Sequence, residues 1–156
     1  MARKKNALRG HFIAEVDETD KTKIPTVWLE LAKWITEITD DTDEGSEEVG
    51  YYSGDGTPTT EIITIAEKWT VAGTYDSTDP AQALVAGKKR LTGEDRKVWH
   101  KIVQTDGKTF AGVATLSEIK AGTGEATTYE EFSCVLNYDQ LPKEIVDKFY
   151  ESNKIR

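Results

Sequence analysis

The residues able to carry chemistry are few. Two histidines, His11 and His100, lie far apart in the chain, each inside a strand-like pattern, and neither has a Cys, His or carboxylate at metal-ligand spacing. This predicts packed or solvated imidazoles, not ligands. The one cysteine, Cys134, falls on the inward face of a predicted strand, where a thiol behaves as a small apolar residue. It cannot form an intramolecular bridge, which fits a reducing compartment or one that makes no use of disulfides. Gly54-Asp55-Gly56 and Gly122-Thr123-Gly124 lack the order of strand, glycine-rich turn and helix that cradles phosphate, and read as turns. Adjacent acids such as Glu47-Glu48 and Glu130-Glu131 are expected by chance in a chain with 28 Asp and Glu among 156 residues. No catalytic, cofactor or metal site follows, and an enzyme is the least expected class.

The elements that would position any site are strands. The chain holds 20 Thr, with Val, Ile, Tyr and Trp that suit a pleated, half-buried surface. Residues 61–75 read as one long strand, with Ile63, Ile65, Trp69, Val71 and Tyr75 on one face and Glu67 interrupting it. Residues 98–105 and 109–116 flank Asp106-Gly107, a hairpin signal. Residues 129–138 place Phe132, Cys134, Leu136 and Tyr138 on one side, and residues 11–16 offer Phe12, Ala14 and Val16 as an inward face. Residues 27–38 fit either period, and their β-branched residues favour a strand. One helix is clear: Asp79 caps, Pro80 takes the first position, and Gly87 terminates. A second short helix is predicted over 142–152. The fold class is mainly β, two antiparallel sheets packed as a sandwich or barrel with one short flanking helix, in a single domain spanning 1–156.

Charge is the remaining signal. The net charge is −8, which argues against tight, sequence-independent binding to nucleic acid. No apolar run reaches the roughly 20 residues needed to span a bilayer. Acids concentrate at Asp40, Asp41, Asp43, Glu44, Glu47 and Glu48, within a predicted loop over 39–60. Bases gather in an N-terminal arm over 1–9 (Arg3, Lys4, Lys5, Arg9), at Lys88-Lys89-Arg90, and in a C-terminal segment over 140–156 (Lys143, Lys148, Lys154, Arg156). Segments of opposite charge suit head-to-tail self-association into rings or filaments.

The stretch from Glu48 through Tyr51-Tyr52-Ser53-Gly54-Asp55-Gly56-Thr57, the strand to Gly73-Thr74-Tyr75-Asp76, and Asp79-Pro80-Ala81-Gln82-Ala83-Leu84-Val85-Ala86 resemble the major tail proteins of long-tailed bacteriophages of the siphophage type. The resemblance implies six copies closing into a ring and rings stacking into a hollow tail tube through which DNA is delivered. It implies a loop over about 39–60 that reaches a neighbouring subunit or ring. Partners would be the chain itself and tape measure, terminator and baseplate or initiator proteins. The setting would be the virion tail, assembled in the host bacterial cytoplasm, with no cofactor and no membrane. Nothing after the core suggests a decorating domain.

On that basis the acidic loop is expected to meet Arg3, Lys4, Lys5 and Arg9 of the next ring, to be mobile in the free subunit, and to order on assembly. DNA must slide without sticking, so the wall of a tube should avoid Lys and Arg contacts to phosphate. Glu61, Glu67, Glu130 and Glu131 are the candidates for an acidic lumen. Two other classes remain open: a single-ring tail terminator or head-tail connector, and an immunoglobulin-like monomeric binding module.

Overall fold

The computed structural model describes residues 3–145. Its elements are β1 Gly10–Glu15, β2 Leu29–Glu30, β3 Ile35–Asp40, β4 Asp43–Val49, β5 Thr59–Ala66, β6 Lys68–Thr74, α1 Pro80–Gly87, β7 Lys97–Val103, β8 Thr109–Thr123, β9 Glu131–Tyr138 and β10 Lys143–Ile145. The larger sheet has the order β2-β1-β7-β8-β9-β6-β3, with β10 also on β8, while β4 and β5 pair with each other. The larger sheet curls into a half-barrel. The fold is thus mainly β, with two antiparallel sheets and one α-helix, as alternation and composition imply.

Where local chemistry is strong the elements form as expected. At the β7–β8 turn Gly107 adopts φ +94, and its N–H donates to the Gln104 carbonyl at 2.9 Å. Asp79 caps α1 by accepting from the Gln82 N–H at 3.2 Å, and Pro80 occupies the first turn, where no N–H is needed. In β9 the side chains of Phe132, Cys134, Leu136 and Tyr138 are buried, alternating with outward residues. They meet Ile13, Val71, Val98, Leu116 and the helix residues Ala81 and Val85 in the main core. Each large aliphatic or aromatic side chain so buried contributes about 1.5–3 kcal/mol.

Five expectations are revised. Residues 61–75 are not one strand: the chain breaks at Glu67, so that β5 is exposed throughout and β6 enters the large sheet. Residues 27–38 are extended, as favoured, but split into β2 and β3 by a turn in which Trp34 takes φ +66. The predicted loop over 39–60 is mostly the paired strands β4 and β5. Residues 143–145 of the predicted second helix form β10, paired with β8, and the rest of that helix lies outside the described residues. In β1 the inward face is double. Ile13 enters the main core, whereas Ala14 and Val16 join Trp99, Ala111 and Trp28 in a second cluster.

β8 shows why alternation alone misleads. Ala114 and Leu116 are buried at even positions, but Ile119 and Ala121 take over at odd ones. The switch falls where the β8–β9 register shifts, at Glu118, whose φ is +50. A bulge inserts one residue and flips every side chain beyond it to the other face.

Candidate assembly interface

The most unusual part of the surface is built by β4 and β5. Their ladder continues that of β3 and β6 in step: Asp40 faces Trp69 on one, and Asp43 faces Ala66 on the other. One ribbon therefore leaves the half-barrel. Across the gap between its halves the Asp41 N–H still donates to the Lys68 carbonyl at 2.9 Å. The Thr42 N–H is taken by the Asp40 side chain at 2.9 Å, and the Glu67 carbonyl accepts from the Tyr138 N–H at 3.0 Å. Beyond the gap β4 and β5 bond to no other strand among the described residues, and their seven paired positions, six steps at about 3.3 Å each, make an arm about 20 Å long.

Residues facing each other across an antiparallel ladder share a face. Glu44 with Ile65, Ser46 with Ile62 and Glu48 with Thr60 make one face of the arm; Asp43 with Ala66, Gly45 with Thr64 and Glu47 with Glu61 make the other. Ile63 is the extra residue at the bulge between them. Ile62, Ile63 and Ile65 are 50%, 59% and 46% exposed, and the tip adds exposed Tyr51 and Tyr52. A two-stranded hairpin is marginal by itself in water, and apolar residues clustered on one look for a partner surface.

The acids of this segment are differently engaged. Asp43 pairs with Lys68 at 2.8 Å, and that hydrogen bond raises the lysine pKa. Asp41 accepts from the Thr70 hydroxyl. Asp40 accepts from the Thr42 hydroxyl as well as its N–H. The side chains of Glu44, Glu47 and Glu48 have no partner among the described residues.

The N-terminal bases lie at the same end of the molecule as the base of the arm. A cavity of about 530 Å³ is lined by Arg9, Asp40, Glu67 and Trp69 together with Gln104 and Thr105 just after β7. Lys4 donates to the Thr105 carbonyl at 2.8 Å. Arg9 donates to His11 Nε2 at 3.0 Å and to Asn6 Oδ1 at 3.1 Å, and stacks over Trp69 at 5.6 Å. These residues fasten the first segment to its own subunit.

The four lumen candidates are not gathered in one subunit. Glu61 lies on the arm, accepting from the Tyr51 hydroxyl at 2.8 Å. Glu67 sits half-buried at the ribbon gap, accepting from Trp69 Nε1 at 2.9 Å. Glu130 and Glu131 stand at the far end of the β6–β9 pair, where Glu131 faces Thr74.

Inside the barrel the structure joins what the chain separates. Strand pairing places His11 beside Ile102 and Ile13 beside His100, so the two imidazoles meet, 3.1 Å between His11 Nδ1 and His100 Nε2. Tyr138 closes the chain at 2.7 Å from His100 Nδ1. Burial, followed by the Arg9 charge, pulls the His11 pKa down to about 4, and burial with His11 nearby lowers that of His100 as well. The histidines are packed, neutral structural groups. Burial pushes the Cys134 thiol up to about 12, so it stays protonated. Among the described residues no group of three His, Cys, Asp or Glu side chains is placed to hold a metal ion. Sequence reasoning missed Gln82, fully buried, whose amide donates to the Lys33 and Thr74 carbonyls at 3.0 Å each. A polar residue on the inward face of a short helix was the available signal.

Among the described residues the large sheet does not close. A groove of about 770 Å³, lined by Leu31, Ile35 and Ile38 among others, separates β3 from residues 30–32 and leaves the outer edge of β3 unpaired among the described residues. The curled sheet, helix and projecting ribbon together define a fold found in tail assemblies. A chain in the tail of an empty gene transfer agent particle, solved with helical refinement and C6 symmetry, superposes with a TM-score of 0.66 over 92% of this chain and 100% of that one, at 11% identity. A chain from the virion of a native gene transfer agent particle gives a TM-score of 0.61 over the same shares, at 8% identity. No protein-family model and no curated protein matches the sequence.

Proposed function

We propose that this chain is a structural tail protein of a phage or phage-like particle, whose copies close into rings of six and stack into the hollow tube that delivers DNA. The observation that carries this reading is the β4–β5 arm, which leaves a well-packed barrel to hold three isoleucines and two tyrosines in solvent. Apolar residues held out on such an arm call for a partner surface, and in a polymer a neighbouring copy supplies it. Support comes from the fold shared with a tail of C6 symmetry. The unpaired edge of β3 is a template for pairing around a ring.

In this reading the subunit acts by shape and charge. An acidic chain lines a passage that phosphate crosses without adhering, and Glu61, Glu67, Glu130 and Glu131 contribute once six copies surround the axis. The tube belongs to the virion tail, assembles in the host cytoplasm, and meets tape measure, terminator and initiator proteins at its ends. Negative-stain microscopy of the purified, concentrated protein tests this. Long hollow tubes are expected; rings that never stack point instead to a terminator or connector. Sedimentation as a strict monomer at every concentration and salt overturns the reading.

A further inference from the structure

Copies stacked by translation join opposite ends of the molecule, and the N-terminal bases lie at the end toward which the arm points, beside Gln104 and Thr105 after β7. The other end of β7 carries a different basic segment. Lys88, Lys89, Arg90 and Leu91 form the turn after α1, held against the first residues of β7 by Arg96, which donates to the Leu91, Lys89 and Leu116 carbonyls at 2.7, 2.6 and 3.1 Å. The turn is thus tied to its own subunit. The side chains of Lys89 and Arg90 have no partner among the described residues, and Leu91 is 40% exposed.

Resting on the tube reading above, we propose that the arm face carrying Glu44, Glu48, Ile62 and Ile65 docks on the Lys89-Arg90-Leu91 turn of a second copy in the adjacent ring. The chemistry of the two surfaces matches in kind. On the arm two unpaired carboxylates on β4 run beside two isoleucines on β5; on the turn two unpaired cations precede an exposed leucine. Both surfaces are exposed, and by strand register the arm starts level with Lys97 and points away from the end of the sheet that carries the turn, so one contact repeated along an axis buries both on every copy. Such a heterologous contact does not close on itself and propagates a stack. The acids and bases fix register and partner choice, and the apolar residues supply most of the contact area.

Two reversed-charge variants of the full chain test it: Glu44→Lys with Glu48→Lys on the arm, and Lys89→Glu with Arg90→Glu on the turn. Each alone faces its own copies with like charges, and its threshold concentration for stacking rises more than about tenfold. Mixed in equal amounts they restore stacking, because each arm then meets a turn of opposite sign. Recovery on mixing also shows that both variants are folded. Either variant stacking like the wild type, or a mixture that stays unstacked, overturns the pairing while leaving the tube reading intact. If neutralising Arg3, Lys4, Lys5 and Arg9 blocks stacking and the turn variant does not, the N-terminal arm is the partner and the proposal fails. A wild type that forms neither rings nor tubes overturns the tube reading itself, and the docking with it.

Discussion

His11 and His100, 89 residues apart, share a hydrogen bond of 3.1 Å inside the barrel. Arg9 donates to the outer nitrogen of His11, so His11 Nδ1 carries a proton and donates to His100 Nε2; His100 Nδ1 in turn donates to the Tyr138 oxygen. Every ring nitrogen has a role only if both imidazoles are neutral. An added proton on either removes an acceptor in a buried site.

The pH dependence follows with a definite sign. The folded pKa of His11 lies near 4 and that of His100 below its usual 6.5, so between those values the unfolded chain binds more protons. Stability is full above about pH 6.5 and falls as pH drops toward 4, at up to about 1.4 kcal/mol per pH unit for each histidine. Thermal melts from pH 7.5 to 4.5 should show Tm declining below about 6.5. A flat profile down to pH 5 contradicts the neutral pair.

Helix α1 is held more by Gln82 than by its cap. Gln82 bridges two carbonyls and accepts from the Asp76 N–H at 2.6 Å, while Asp79 supplies one cap bond. Asp79→Ala should cost about 1 kcal/mol. Gln82→Leu keeps the volume but strands three backbone groups, and should cost at least twice as much. Denaturant melts of the two variants decide the ranking.

Glu118 holds a left-handed conformation, φ +50, that costs a side chain about 1–2 kcal/mol relative to glycine. Glu118→Gly relieves that cost and gives back part of it as unfolded-chain entropy. A net gain of roughly 0.5–1 kcal/mol is expected. Loss of stability on equilibrium unfolding would mean that the glutamate is held there by contacts worth more than the strain.

These positions also show how far the chain could be read. Asp79-Pro80, Asp106-Gly107 and the alternation of Phe132 to Tyr138 are local signals, and each element they mark is present. The phase flip at Glu118 carries no local signature, because a bulge is set by pairing with β9. Likewise Glu67 looked like a flaw in one apolar face; it marks where the ribbon leaves the barrel, and the isoleucines before it face solvent instead of the core. The acidic segment is legible as a contact by its charge, but only the pairing of Asp43 with Ala66 makes the loop an arm. The histidine pair was invisible for the same reason: only the β1–β7 register brings its members together.

The arm separates folding from assembly, and that gives the most direct test. Ile62 and Ile65 are half exposed and touch no core cluster, so Ile62→Asn with Ile65→Asn should shift monomer stability by no more than about 0.5 kcal/mol per site. The same change removes apolar area from the face offered to a neighbour, and each isoleucine fully buried there would contribute about 1.5–3 kcal/mol. Tube formation by negative stain should therefore fail at concentrations where the wild type assembles, with melting almost unchanged. Val71→Ala, deep in the core, should do the reverse at the level of the subunit, costing about 2 kcal/mol or more in stability while leaving the arm's surface as it is. If the arm variant melts early instead, the isoleucines hold the subunit together and the arm is no docking element.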